Sequence, residues 1–561
     1  MCKFCDEGIP QDHTGSVRDS RRDFMKTVAV TGVAAAGLNL FAARPAAAAG
    51  GAPPEDSGHR GRRYVIRGGS VMSMDPDVGD FPKADVMIEG NKIVAIGPNL
   101  PAAGSTPIDA SGRIVMPGFI DTHHHQFETA LRSFLADGVL INDLSGSPSG
   151  STTYYEYILN KFAPVYRPQD VYINELFGGL SQLDAGVTTV HDVSQISHSP
   201  AHSDAAIQAL IDTGRRAAFG YFESAGNFGA GVPGNQYPQD ADRIYNTWFS
   251  ANNLSSNGLV HMIMGGEVYL NDATTDQSWT IGRRLGLQIA AHILSPFGIR
   301  PTFDKLAAGT GGNGNIGIGP DNLFIHMTGM SDTAWQKVKD VGAQVSIAFP
   351  IEMNMRHGMP PILRVQNLGM EPSLSVDVEC TLTADFFTQM RSCMNLQRAI
   401  VNQMILDSPN GNQNLPDPLD WGLPQSAATV PPPSFPYFPK PPAGIPAPLT
   451  TRDVLRYATM NGAKALRLDQ KVGSLAPGKE ADIIILDATA INVAPLNQVP
   501  GAVVSLMDRT NVETVIVAGT VRKWKGRLLN VNVDKLRRDL ENSRDYIFSA
   551  AGIPQNLFGD Q

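Results

Sequence analysis

The sequence predicts a mixed α/β fold: a (β/α)8 TIM-like barrel with a small β-sandwich domain formed by both chain ends. Three observations lead there. Eight apolar, β-like runs follow one another through the middle of the chain: "GFIDTHHH", "AGVTTVHDV", "RAAFGYFES", "VHMIMGGEV", "LQIAAHIL", "NLFIHMTGM", "GAQVSIAFP" and "EPSLSVDVE". Continuous apolar runs of this length suit parallel strands buried on both faces. Helical segments stand between several of them, such as "SDAAIQALIDTGRR" before the third and "SDTAWQKVKDVG" before the seventh. Strand and helix therefore alternate as a barrel requires. Finally, Val- and Ile-rich segments occur at opposite ends of the chain. They can pair into one small sheet, with everything between them folded as an insert.

In chain order, residues 1–49 read as a twin-arginine signal peptide. Ser20-Arg21-Arg22-Asp23-Phe24-Met25-Lys26 is the export motif, an apolar stretch follows, and the small residues of "ARPAAAAG" suit cleavage near Ala49. A Gly/Pro linker spans residues 50–62. The first part of the β-sandwich domain covers 63–116, where "YVIRGGSVMSMD" and "DVMIEGNKIVAIGP" are strands and Gly90-Asn91 marks a hairpin. The catalytic barrel covers 117–470. It carries a long connection at 135–165 with Tyr154, Tyr155 and Tyr157, placed to act as a lid. A Pro-rich insert at 408–448 is read as surface or subunit contact, which leaves room for a homo-oligomer. Thr450 and Asp453 resemble a helix capping box. The sandwich resumes over 471–530 with "ADIIILDA" and "VETVIVAGTVRKWKGRLL", and 531–561 form a C-terminal helix and tail.

Composition narrows the function. The chain has 561 residues, 42% apolar and 18% charged, with a net charge of −9. That balance argues against nucleic acid or an anionic membrane as the partner. After signal removal no segment reads as membrane-spanning, so the expected location is periplasmic or secreted, reached through the twin-arginine export machinery. Only Cys380 and Cys393 remain in the mature part, which excludes a disulfide scaffold.

The chemistry begins at "PGFIDTHHHQFETALRS". Side chains in a strand alternate faces, so His123 and His125 point one way and His124 the other. The fifth run ends in His292, the sixth in His326, and the eighth carries Asp377. Functional residues of such barrels come from the carboxyl ends of several strands. Imidazoles with a carboxylate suit a borderline divalent ion, zinc first, with iron or manganese also compatible. Such an ion activates water near neutral pH, a nearby carboxylate can accept the proton, and a further donor such as His326 can stabilise developing negative charge.

These motifs, "MPGFIDTHHH", His292, His326 and "SLSVDVE", together with the terminal "KVGSLAPGKEADIIILD", resemble the amidohydrolase superfamily, in particular its cytosine deaminase and chlorohydrolase branch. The resemblance implies that His123, His125, His292 and Asp377 hold one metal. It implies that His326 polarises the substrate or leaving group, and that Asp377 takes the proton of the activated water. Dinuclear relatives carry a carboxylated lysine on the fourth strand. None occurs in "VHMIMGGEV", so one ion is expected, although Glu267 stands where it could bridge to a second.

The pattern departs from the family at one point. Deaminases of this branch place a glutamate three residues after the fifth-strand histidine, and here Ser295 occupies that position. Glu352, in "PIEMNMRHGMPP" after the seventh strand, is the candidate substitute acid. Gln126, His198 and His357 are candidate substrate contacts, and Met353, Met355 and Met359 suggest an apolar rim. The expected function is an exported, metal-dependent hydrolase of a non-peptide C–N bond in a small neutral organic substrate: a cyclic amide, an amidine or an amino-heterocycle. The missing glutamate keeps one alternative open, a metal-dependent lyase, decarboxylase or isomerase on the same barrel. A non-catalytic metal- or ligand-binding protein is a further alternative, against which the His/His/His/Asp set argues.

Overall fold

The computed structural model describes residues 52–141, 153–225, 237–250, 258–270, 272–311, 316–408 and 443–558. Residues 1–49, expected to be an export signal, and most of the Pro-rich insert lie outside the described residues. Five strands open the described chain: β1 (Arg63–Met72), β2 (Asp80–Glu89), β3 (Lys92–Gly97), β4 (Thr106–Asp109) and β5 (Arg113–Pro117). β2 and β3 form the hairpin expected at Gly90-Asn91, where Gly90 takes a positive φ of 57° that a side chain would resist.

The next eight strands form the barrel: β6 (Phe119–His124), β7 (Val187–Ser194), β8 (Arg216–Tyr221), β9 (Val260–Gly265), β10 (Ile289–Ile293), β11 (Asn322–His326), β12 (Gln344–Ile347) and β13 (Ser373–Leu374). They are the eight apolar runs, in order, each hydrogen-bonded in parallel to the next. Helices alternate with them, including Pro168–Asp184, Pro200–Asp212 and Asp332–Val341. β13 is only two residues long, and the seam to β6 is completed beyond it. Asp377 N–H donates to His123 O at 2.9 Å, and His125 N–H donates to Asp377 O at 2.7 Å. Inside the barrel the Thr122 hydroxyl meets Ser373 Oγ of β13 at 2.8 Å across the same seam and Ser346 Oγ of β12 at 2.7 Å beyond it.

β14 (Ile483–Asp487), β15 (Val512–Val517), β16 (Thr520–Trp524) and β17 (Arg527–Leu528) then return to the first sheet. β14 pairs antiparallel with β5, so the two chain ends share one mixed sheet of nine strands. Alternation along β14 explains its position. Ile483 and Ile485 enter a small separate core with Tyr64, Ile66, Val86 and Ile516, while Ile484 and Leu486 join the large core that includes the barrel. Burying each such side chain is worth about 1.5–3 kcal/mol. The helix Thr451–Ala458 begins with the expected reciprocal Thr450–Asp453 capping box.

One irregularity positions the site. Along β6, Ile120 packs with apolar residues of β8 to β11, and Thr122 also faces inward. An unbroken strand would send His124 inward next. The pairing of β6 with β7 instead slips by one residue between Asp121 and His124, a β-bulge. The extra residue turns His123 and His125 toward the barrel mouth and leaves His124 on the outer side with Asp121. Bulges commonly re-aim side chains in this way.

Candidate metal centre

Four strand ends converge at the carboxyl mouth of the barrel. His123 and His125 come from the bulged end of β6, His292 from β10, His326 from the last residue of β11, and Asp377 from the chain just past β13. All five are buried. His326 and Asp377 take φ values of +71° and +69°, in the left-handed region that costs a residue with a side chain about 1–3 kcal/mol. For Asp377, the two seam hydrogen bonds hold that conformation.

The ligand atoms are closely spaced. His123 Nε2 lies 3.0 Å and His125 Nε2 3.6 Å from Asp377 Oδ1, and His292 Nε2 lies 3.3 Å from His125 Nε2. Donors about 2.0–2.2 Å from one tetrahedral ion stand roughly 3.3–3.6 Å from each other, close to these three distances. His123, His125 and Asp377 form one candidate ligand group, and His292 falls in another with His123 and His326. The protonation states agree. Burial, reinforced by neighbouring rings, holds His123 and His125 well below the usual histidine range, which leaves neutral imidazoles with lone pairs. Burial opposes ionisation of Asp377, yet the surrounding imidazoles, His123 and His326 foremost, hold it well below the carboxylate range.

Two of the histidines carry a carboxylate behind the ring. His292 Nδ1–H donates to Glu267 Oε1 at 2.5 Å, and Glu267 Oε2 also accepts the His292 backbone N–H at 3.0 Å. Burial would lower the His292 pKa, but the Glu267 charge and hydrogen bond outweigh it and raise it. His326 Nδ1–H donates to Glu352 Oε1 at 2.9 Å, and the same oxygen accepts Ala348 N–H at 3.0 Å. Such a partner fixes the tautomer and aims Nε2 as a lone pair.

Residues 446–522 match the amidohydrolase family. The chain is 24% identical over 491 residues to a 5'-deoxyadenosine deaminase of Methanosarcina mazei, covering 86% of this chain and 97% of the relative. The family match and the curated relatives support the amidohydrolase superfamily for this chain. Its fold is similar to that of an adenosine deaminase from Xanthomonas campestris with bound zinc, with a TM-score of 0.65 at 18% identity, covering 88% of this chain and all of that one. It is also similar to that of an atrazine chlorohydrolase from Arthrobacter aurescens complexed with zinc, with a TM-score of 0.62 at 18% identity over 86% of this chain and all of that one. The buried imidazoles and carboxylate gathered here suit a divalent metal ion.

The structure treats the remaining candidate residues unequally. His357 lines the mouth, with Nδ1 4.0 Å from Asp377 Oδ2 and its ring edge-on to His326. Glu352 does not face the mouth. It is buried behind His326, so it orients that ring rather than meeting substrate. His326 also differs from the expectation of a standing donor. With Nδ1–H committed to Glu352 and its pKa pushed down to about 4 by burial, Nε2 presents a lone pair. Glu267 bonds His292 and is not placed as a bridge.

Gln126 and His198 are not brought into the site. Gln126 turns outward, where its amide donates to Glu175 O at 2.6 Å and its carbonyl accepts from Arg215. Gly178 makes that possible, because a Cβ there would lie 2.8 Å from Gln126 Cγ. His198 Nε2–H donates to Ala163 O at 2.8 Å and ties the loop after β7 to the segment after β6. Sequence reasoning missed Glu128, three residues past His125. The Tyr154 hydroxyl donates to Glu128 Oε1 at 2.5 Å, which sets the ring against the mouth. Burial pushes the Glu128 carboxyl up to about 8. The only signal was its one-turn spacing from the ligand pair.

Proposed function

We propose that this chain is a metal-dependent hydrolase that cleaves a non-peptide C–N bond, acting as a deaminase on a small neutral amino-heterocycle. The observation that carries the reading is the convergence of His123, His125, His292 and Asp377 at the barrel mouth, with neighbouring ligand atoms 3.0–3.6 Å apart and Glu267 behind one ring. The relatives named above are deaminases or a chlorohydrolase, which supports displacement at a ring carbon.

The cavity over the centre supports the substrate class. It has a volume of about 650 Å³ and is walled by Leu140, Tyr154, Leu159, Tyr269 and Phe297. No lysine or arginine is among its described lining residues, and a phosphorylated substrate would require one. Aromatic walls suit a planar ring.

A divalent ion held in this cradle supplies Lewis-acid activation of water near neutral pH. Asp377 Oδ2 has no hydrogen-bond partner among the described residues and is the carboxylate oxygen available to take a proton. His326 Nε2 stands 3.6 Å from it, neutral and unprotonated, so the pair can hold that proton and return it to the leaving nitrogen. This division of labour takes over the task of the glutamate that Ser295 replaces, since Ser295 is exposed outside the cavity.

The test is a screen of aminopurine nucleosides and aminotriazines with the zinc-loaded protein, following ammonia release in ¹⁸O-labelled water. The reading expects one labelled oxygen in the product for each ammonia. Product formed without solvent oxygen would instead indicate a lyase or isomerase. Export belongs to the same proposal and rests on the Arg21-Arg22 motif. Replacing both arginines by lysine should retain the protein in the cytoplasmic fraction, and unchanged export would remove it.

A further inference from the structure

One wall of the cavity over the metal centre is held from outside the cavity. The helix Tyr154–Phe162 supplies Tyr154, Leu159 and Asn160 to the lining. Its far end packs on apolar residues: the Phe162 ring lies 5.0 Å from that of Phe134 and 4.9 Å from that of Phe548 in the C-terminal helix Val533–Ala551. Its near end has a polar tie instead. The Tyr154 ring stands 6.3 Å from that of His125, and its hydroxyl donates to Glu128 Oε1 at 2.5 Å. Glu128 is fully buried and is not among the described lining residues of the cavity. It sits three residues past His125 in the short helix Gln126–Leu131, which the Pro168–Asp184 helix fixes: Ala130 N–H donates to Asn174 Oδ1 at 2.6 Å. The Cys380 thiol, three residues past Asp377, also hydrogen-bonds this carboxyl group. Burying a carboxyl is costly where an apolar side chain would fill the same space, so the bonds it makes account for an acid here.

We propose that Glu128 is a positioning residue for substrate binding: through the Tyr154 hydroxyl it fixes the aromatic wall beside His125, and so sets substrate affinity rather than the chemical step. With its hydroxyl committed to Glu128, Tyr154 offers the cavity its ring and not a donor. A planar substrate is met there by a π surface already in place. A wall ordered before binding spares the cost of ordering it during binding. The hydrogen bonds that hold the metal ligands run elsewhere, to one another, to Glu267 and across the β6 seam. Releasing the Tyr154 ring therefore leaves those ligands in place and raises KM before it lowers kcat.

The inference rests on the catalytic reading above, and one set of variants separates the two. Zinc-loaded wild type, Glu128→Ala, Glu128→Gln and Tyr154→Phe are compared in three ways. Zinc content is counted by elemental analysis, amide hydrogen exchange is followed over residues 153–162, and kcat and KM are measured on whichever aminopurine nucleoside or aminotriazine releases ammonia fastest. Tyr154→Phe removes the tie and leaves the Cys380 contact intact, so it stands in if Glu128→Ala does not fold. Both variants should keep their zinc and exchange faster at the start of the helix. Both should raise KM by about tenfold, the scale of one lost buried hydrogen bond, with a smaller change in kcat. Glu128→Gln, whose amide oxygen can still accept the hydroxyl, should bring KM and exchange back toward wild type. Unchanged exchange and KM in Tyr154→Phe, or losses confined to kcat or to zinc content, overturn the positioning role alone. A wild type that turns over none of the compounds overturns the catalytic reading, and exchange in Tyr154→Phe then decides whether Glu128 holds the wall.

Discussion

The two halves of the barrel mouth are built alike and spaced differently. On one side His292, backed by Glu267, closes on His123, His125 and Asp377 Oδ1 at 3.0–3.6 Å. On the other, His326, backed by Glu352, stands with His357 at 3.6 and 4.0 Å from Asp377 Oδ2. Ring orientation is therefore set by the carboxylate behind each histidine, while the strand end sets how near the ligands come. The bulge in β6 crowds two histidines into the tight half. The loose half has one strand-end histidine and one from a loop, His357, which follows the short helix Phe349–Asn354.

The sharpest break of this comparison is removal of a ligand from the tight half. His125→Ala or His292→Ala should abolish tight zinc binding and, with it, turnover, as measured by elemental analysis and ammonia release. Removing the carboxylate behind the ring comes next. Glu267→Gln should weaken zinc binding by about 10–100-fold in a chelator competition. The matching change in the loose half, Glu352→Gln, should leave zinc affinity unchanged and lower kcat more than it raises KM, because His326 loses its tautomer and aim. Equal losses of zinc affinity in the two glutamine variants would erase the distinction between the halves. The smallest functional effect is expected outside the mouth. Gln126→Ala should leave KM within error, yet cost about 1–3 kcal/mol of stability by leaving buried partners such as Arg215 unpaired, as read by denaturant unfolding.

Apolar patterning made the scaffold legible. The eight runs are the eight barrel strands, and alternation within "ADIIILDA" foretells which isoleucines enter the small core. Residue type at the strand ends brought His123, His125, His292, His326 and Asp377 into view. What stayed hidden depends on partner choice between polar groups. A one-residue bulge has no signature in "FIDTHHHQ", although it decides which face carries the ligand pair. Glu352 was legible as an acid near the mouth, but not as the support of His326, because a short helix after β12 turns its carboxylate back to Ala348 and the ring. Gln126 follows the ligand pair directly, yet the close approach of the Pro168–Asp184 helix at Gly178 gives its amide other partners.

The most direct measurement is the zinc-edge X-ray absorption spectrum of protein loaded with one equivalent, taken beside His292→Ala. The account predicts three imidazoles and oxygen donors, with Zn–N about 2.0–2.1 Å and one imidazole fewer in the variant. A sulfur shell at about 2.3 Å, or a spectrum unchanged by His292→Ala, would contradict it.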